Sequence, residues 1–297
     1  MTGTRPTVSK VLAEVRRRFT EAGIADPATD ARLLVAGLLK FSSTEILSRG
    51  NEPVAGDKEA LILAAVERRL AHEPVHRILG EREFYGLPLW LSAETLEPRP
   101  DTEILVDTML PYLRTLAKTE EHLHILDLGT GTGAICLALL SECPEASGIG
   151  SDVSADALRT AESNAARNGL KERFETVQSS WFQNIHGMFH AIVSNPPYIA
   201  SSILDSLAPE VTKFDPATAL DGGPDGLDAY KAIAKDAAGF MQPNGVIGLE
   251  IGYDQRNHVT AVFEAAGFKC VDSAKDYGQN DRVLVFAPIA SSDKLQH

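Results

Sequence analysis

The sequence has little of what would place it in a membrane, outside a cell or on a nucleic acid. Its longest apolar stretches, such as Leu33–Leu39 and Leu61–Val66, fall well short of the ~20 residues that a membrane span needs. No span is expected. Met1–Lys10 is polar and carries no apolar core ahead of a small-residue cleavage site, so a secretory leader is not expected either. Cysteine is scarce: Cys136, Cys143 and Cys270 have no paired spacing, and an odd number without a leader implies reduced thiols in the cytoplasm. Positive charge is short as well, with 28 Lys and Arg against 41 Asp and Glu and a net charge of -13. Stable nucleic-acid binding rests on cations that neutralise phosphates, so none is expected. The histidines, His72, His76, His122, His124, His186, His190, His258 and His297, make no recognisable ligand cluster, and no metal is expected.

What remains is the balance of an ordinary globular protein, 44% hydrophobic and 23% charged over 297 residues, enough for one large domain or a medium and a small one. Residues 1–82 read as a small helical domain. Asp26 and Pro27 make an N-cap and first helical position, after which Ala31, Leu34, Val35 and Leu38 recur at helical spacing. A second helical stretch, Asp57–Ala71, carries Leu61, Ala64, Ala65 and Arg68 in similar register. Arg16–Arg18 and Arg68–Arg69 read as solvated helix faces. Residues 83–95, with Gly86 and Pro88 among alternating apolar residues, read as a β-hairpin that links two domains.

Over residues 96–297 short apolar runs alternate with helical patterns. Strands are expected at His124–Leu128, Ser147–Asp152, Phe174–Gln178, Ala191–Ser194 and Val246–Ile251, with a final pair near Lys269–Asp272 and Arg282–Phe286. Helices are expected at Ala134–Cys143, Ala155–Asn168, Asp228–Phe240 and Gln255–Ala266. Such alternation implies a mostly parallel α/β sheet covered by helices on both faces.

The run from His124 to Ala134 is a strand entering a glycine-rich turn, Gly129-Thr130-Gly131-Thr132-Gly133, that opens a helix. Glycines let the backbone approach a nucleotide-like ligand, and the first helical amides point outward as donors. Asp152, at the end of the next strand, can accept both hydroxyls of a ribose; Ser154 can cap the following helix, and a turn role for Asp152 stays open. Gly129, Gly131 and Ala134 also satisfy a dinucleotide fingerprint, which keeps NAD as a rival. Asp127 favours S-adenosyl-L-methionine instead, since its carboxylate can hold a cationic amino group and would oppose a pyrophosphate.

Asn195-Pro196-Pro197-Tyr198 directly follows the fourth strand. Two consecutive prolines remove backbone donors and stiffen the chain, leaving carbonyl groups held in place. Asn195 can accept one hydrogen of a planar NH2 through its side-chain oxygen, and the Pro196 carbonyl can accept the other. Tyr198 can stack on the flat group. An amide nitrogen is a poor nucleophile, and such contacts would orient it for an in-line displacement with no obligatory general base. The exocyclic NH2 of a nucleobase would fit the same tetrapeptide, so a nucleic-acid amine methyltransferase is the nearest competing reading; a donor-sensing module without catalysis is another.

With Thr95–Glu103, Asp127–Ala134, Asn195–Tyr198 and Asp276–Arg282, the chain resembles the release-factor glutamine methyltransferases, the family also called PrmC or HemK, over almost its whole length. The resemblance implies a Rossmann-like, seven-stranded class I methyltransferase domain behind a small helical domain that recognises the substrate. It implies transfer of a methyl group to the N5 amide nitrogen of the glutamine in the Gly-Gly-Gln motif of class-1 peptide chain release factors, which modulates translation termination. By the same resemblance Asp127, Gly129–Gly133, Asp152 and Asn195 would bind the donor, with Trp181 beside its adenine. Asn195–Tyr198 would hold the glutamine and Arg99 would lie near the substrate. Ser180 stands before Trp181 where relatives often have Asp. From its own neighbours, Asp101 reads as an N-cap for the next helix, and Trp181 can equally be core.

Overall fold

The computed structural model describes residues 5–42 and 44–289; the first four residues of the polar start and His297 lie outside them. The described residues form two compact units, one of residues 5–81 with Pro209–Phe214, the other of Arg82–Ala208 with residues 215–289.

The first unit is helical: α1 (Val8–Glu21), α2 (Pro27–Leu39), α3 (Glu45–Ser48), α4 (Gly56–Leu70) and α5 (Val75–Leu79). α2 starts as its sequence predicts, with Asp26 accepting the Thr29 N–H at 3.2 Å and Pro27 in the first turn. Phe19, Leu34, Val35, Ile46 and Val66 fill the core. α4 departs from expectation by one residue of register. Ile62, Ala65, Val66 and Arg69 are buried, whereas Leu61 is 53% exposed. The buried set keeps helical spacing and turns the β-branched Ile62 and Val66 inward, and the charge this carries inside is met. Arg69, expected on a solvated face, donates from Nε to Asp30 at 2.7 Å and from its terminal nitrogens to Glu210 at 3.3 and 3.4 Å. Arg17, also expected on a solvated face, does lie on one, paired with Glu14 and Glu21.

The second unit opens with a hairpin, β1 (Glu81–Phe84) and β2 (Leu87–Trp90), whose first residue, Glu81, groups with the helices. Its turn residues Tyr85 and Gly86 have φ of 52° and 75°, the left-handed pair that matches the twist of a two-residue hairpin. Phe84 and Leu89 are buried in this unit's core. The next helix, α6 (Glu103–Leu116), is preceded by a 3-10 turn over Pro100–Thr102. Asp101 lies inside that turn and is not the cap; the residue before α6 is Thr102, which makes no side-chain cap bond. Proline at the start of the turn brings the chain into helical φ earlier than the apolar pattern indicates.

All seven predicted strands are present: β3 (Leu123–Leu128), β4 (Ala146–Asp152), β5 (Phe174–Gln178), β6 (Phe189–Ser194), β7 (Met241–Glu250), β8 (Phe268–Lys275) and β9 (Asp281–Pro288). The helices between them are α7 (Ala134–Glu142), α8 (Ala155–Arg167), α10 (Asp228–Ala237) and α11 (Arg256–Ala265); α9 (Pro209–Phe214) groups with the first unit. The sheet order is β5-β4-β3-β6-β7-β9-β8. Only β9 runs against its neighbours, so the fold is Rossmann-like. One core packs α6 and α7 on one face, including Leu105, Leu113 and Leu137. The other packs α10 and α11 on the opposite face, including Tyr230, Ile233 and Phe263. The chain leaves β3 toward β4 and later returns to β3's other side as β6. Such a reversal opens a crevice at the carboxyl ends of the strands. Among the described residues no helix is long and apolar enough to cross a membrane.

Candidate active site

A cleft of about 240 Å³ lies where the chain leaves β3, β4 and β6. Gly129, Thr130, Gly131 and Thr132 line it from the first of these. Gly129, Gly131 and Gly133 have φ of 72°, 54° and 84°, a backbone that L side chains rarely adopt. Gly133 sits just before α7 and does not line the cleft. The turn is also braced from behind. Asn164 on α8, fully buried, accepts the Trp90 N–H at 2.7 Å and donates to the carbonyls of Trp90 and Thr132 at 3.1 and 2.9 Å. It joins the hairpin to the glycine turn, and nothing in its local sequence signals this.

Asp127 lies beneath the turn. Its side chain is fully buried; Oδ2 accepts from the Thr130 hydroxyl at 2.8 Å, while Oδ1 is buried without a hydrogen-bond partner among the described residues. Burial pushes the carboxyl up to about 7, against the Thr130 hydrogen bond that pulls it down. An orphaned buried acceptor is costly unless something arrives to satisfy it. A ligand ammonium would do so, and the site therefore fits the methionine end of S-adenosyl-L-methionine.

Asp152 lines the cleft at the end of β4. Its two oxygens accept the backbone N–H groups of Gly131 at 3.0 Å and Ser154 at 2.9 Å, which aims the carboxylate and leaves further lone pairs for hydroxyls. Ser154 caps α8 by accepting from the Ala157 N–H at 3.2 Å, so the cap is Ser154, and Asp152 holds the turn before it. Trp181 lines the cleft with φ of 51° and packs on the second core, so it faces both the cleft and the core. Ser180 is exposed and outside the lining, whereas Ser179 is buried, lines the cleft and donates to the Trp181 carbonyl at 2.8 Å. Val153, an apolar side chain 55% exposed, lines it too. Neither Ser179 nor Val153 carries a motif that would single it out.

At the end of β6 the structure brings Asn195 and Pro197 to the cleft but leaves Pro196 buried and Tyr198 outside the lining. Asn195 Nδ2 donates to the Thr102 hydroxyl at 3.3 Å, and Thr102 donates to Glu250 at 2.6 Å. The Tyr198 hydroxyl reaches the other Glu250 oxygen at 3.5 Å. Burial, then the nearby Glu250 charge, pushes the Tyr198 phenol up to about 12, so it stays a donor. Arg99 lines the cleft and donates to the buried Asp215 at 2.6 Å. The Asp276–Arg282 motif makes the turn behind: Asp276 accepts the Asn280 N–H at 2.9 Å and Arg282 at 2.9 Å, while Arg282 also donates to the Ile251 carbonyl at 3.2 Å. Among the described residues no group of three or more His, Cys, Asp or Glu could hold a metal ion.

Comparison with known proteins agrees with this geometry. Residues 10–80 match the family described as PrmC N-terminal domain, and residues 102–210 match Methyltransferase small domain. A methyltransferase structure from Pyrococcus furiosus superposes with a TM-score of 0.51 at 18% identity, over 78% of this chain and 98% of that one; it shares the fold. Two release factor glutamine methyltransferases are nearer in sequence. That of Agrobacterium fabrum is 59% identical over 94% of this chain and 97% of its own length. That of Caulobacter vibrioides is 38% identical over 94% and 96%. Identity of that order along nearly the whole of both chains, on a cleft of this kind, means that the chain belongs to the release factor glutamine methyltransferase family.

Proposed function

We propose that this chain transfers a methyl group from S-adenosyl-L-methionine to the N5 side-chain amide nitrogen of the glutamine in the Gly-Gly-Gln motif of class-1 release factors, in the cytoplasm. The observation that carries the reading is the state of Asn195: its Nδ2 is engaged by Thr102, which leaves Oδ1 to accept an N–H of a planar amide. The donor supplies an electrophilic methyl carbon on a sulfonium. Asp127 holds its ammonium, the Gly129–Thr132 backbone and Asp152 its ribose end, and Trp181 with Val153 its adenine. Asn195 Oδ1 and the Pro196 carbonyl accept the two amide hydrogens and aim the nitrogen lone pair. As the nitrogen–carbon bond forms and the carbon–sulfur bond breaks, positive charge grows on nitrogen. The same two acceptors stabilise it, and the proton leaves to solvent. Pro197 walls the amide, with Tyr198 behind it on Glu250, and Arg99, fixed by Asp215, flanks the peptide. No strong base is required, because positioning replaces it.

Residues 1–82 supply the surface that recognises the release factor, with residues 83–95, which hold most of the hairpin, leading into the methyltransferase domain of residues 96–297. The net charge of -13 supports a protein substrate over a nucleic acid. Mass spectrometry of a purified release factor and of its Gln→Ala variant, after incubation with this protein and donor, tests the reading. One added methyl on the glutamine peptide, absent from the variant, is expected. Label appearing on nucleic acid instead would replace it with the nucleobase-amine reading. Asn195→Ala should keep donor binding and lose turnover by about 100-fold or more, as loss of a positioned polar contact does; near-normal turnover would remove Asn195 from the mechanism.

A further inference from the structure

Glu250, the last residue of β7, is 2% exposed and belongs to none of the motifs around the cleft. Its two oxygens face two hydroxyl donors, Thr102 at 2.6 Å and Tyr198 at 3.5 Å. Thr102 lies 148 residues away in sequence and lines the cleft beside Asn195. A threonine hydroxyl carries one hydrogen. With that hydrogen committed to the carboxylate, its oxygen can only accept from Asn195, and an asparagine amide can donate only through Nδ2. The far end, Oδ1, is then the end left for a ligand.

We propose that Glu250 is a positioning residue that acts through the Thr102 hydroxyl to fix which end of the Asn195 amide meets the substrate. The proposal rests on the reading of Asn195 as the acceptor of a substrate N–H. Removing the negative charge reverses the chain. A protonated Glu250, or a glutamine presenting its NH2, donates to Thr102, whose own hydrogen then turns to Asn195 Oδ1. The amide flips and presents a donor to an N–H that needs an acceptor. The reversal lies within reach of neutral pH, because burial pushes the Glu250 carboxyl up to about 7, opposed by Thr102, Arg282 and Tyr198 and reinforced by Asp101. Tyr230 from α10 also faces this region and donates to the Glu250 backbone carbonyl at 3.0 Å; burial raises its phenol well above the ordinary value, so it does not titrate in the same range.

The test measures kcat against pH at saturating donor for the wild type, Glu250→Gln, Thr102→Val and Thr102→Ser, together with the Asn195 side-chain amide resonances in 15N-labelled protein, assigned by their loss in Asn195→Ser. The wild type should lose kcat as pH falls through about 7, and its Asn195 resonances should shift over the same range. Glu250→Gln should be slower at pH 8 by about tenfold, with unchanged donor affinity, no acid limb and the low-pH Asn195 resonances at every pH. Thr102→Val should be slow in the same way, Thr102→Ser should restore the wild-type profile, and Glu250→Gln with Thr102→Val should be no slower than either alone. Asn195 resonances that are the same in Glu250→Gln and the wild type would overturn the relay whatever the activity. If the wild type methylates no release factor while those resonances still differ, the proposed substrate falls and the relay stands.

Discussion

The helical unit buries charge in one way and the α/β unit in two. In the helical unit the buried charge is Arg69, and its guanidinium meets both Asp30 and Glu210. In the α/β unit the buried acids Glu97, Asp215 and Asp276 also meet arginines, Arg82, Arg99 and Arg282, whereas Asp127 and Glu250 meet no cation directly among the described residues; they rest on hydroxyl donors, and one oxygen of Asp127 has no partner among them. Burial raises both carboxyls to about 7. A buried charge that is fully paired holds a structure together, and one left short of partners is held at a cost for something that binds.

Breaking the paired side should give the larger effect on stability. Arg69→Ala leaves two carboxylates facing an emptied, apolar position, and should destabilise the protein by about 2–3 kcal/mol; that is below the cost of breaking a fully buried pair because both acids retain some contact with water. Chemical denaturation followed by circular dichroism measures it. No loss would mean that the ion pairs contribute nothing net.

The unpaired side should respond with the other sign. Asp127→Asn keeps an acceptor for Thr130 and removes a carboxylate whose ionisation burial opposes, so the folded protein should gain stability at pH 8. The folded carboxyl titrates near 7 and the unfolded one near its ordinary value of 3.8. Wild-type stability from this group is therefore fully present below 3.8 and is lost as pH rises to about 7, and the gain from the variant should grow over that range and then level. The same change should weaken donor binding by about tenfold or more, the worth of a hydrogen bond to a charged group. Calorimetric titration with the donor across pH checks both: wild-type affinity should fall as pH drops through about 7, and the variant's affinity should stay flat. A variant that binds donor as tightly as the wild type would show that Asp127 meets no ammonium.

Much of this contrast was legible in the sequence on the α/β side and little of it on the helical side. Glycines at 129, 131 and 133, a carboxylate before them and another at 152 need no knowledge of the fold to be read, because much of the cleft is lined by consecutive residues at strand ends. The strands were legible for the same reason, as short apolar runs bounded by turns. Arg69 was not: adjacent arginines on a helix look solvated until Asp30 on another helix is seen to face one of them. Asn164 and Thr102 were hidden in a similar way, since each acts through partners 32 to 148 residues distant. Asp101 misled because its composition fits a cap while Pro100 sets the turn. Ser180 drew attention by its place in a motif, but the backbone at Trp181, with φ of 51°, goes with Ser179, not Ser180, in the cleft lining.

The smallest effect sharpens the comparison at its other limit. Arg17 makes two ion pairs of good geometry, to Glu14 at 2.7 Å and to Glu21 at 2.6 Å, and by distance alone it equals Arg69. Its side chain, however, is 54% exposed, and those of its partners 51% and 61%. Water solvates each group almost as well as its partner does, and holding three long side chains in one arrangement costs entropy that offsets the attraction. Arg17→Ala should therefore move the melting temperature by no more than about one degree, and any shift should shrink further in high salt. Melting curves of Arg17→Ala and Arg69→Ala at low and high salt separate the two cases. A shift at Arg17 as large as that at Arg69 would mean that distance, rather than removal from water, decides what an ion pair contributes in this fold.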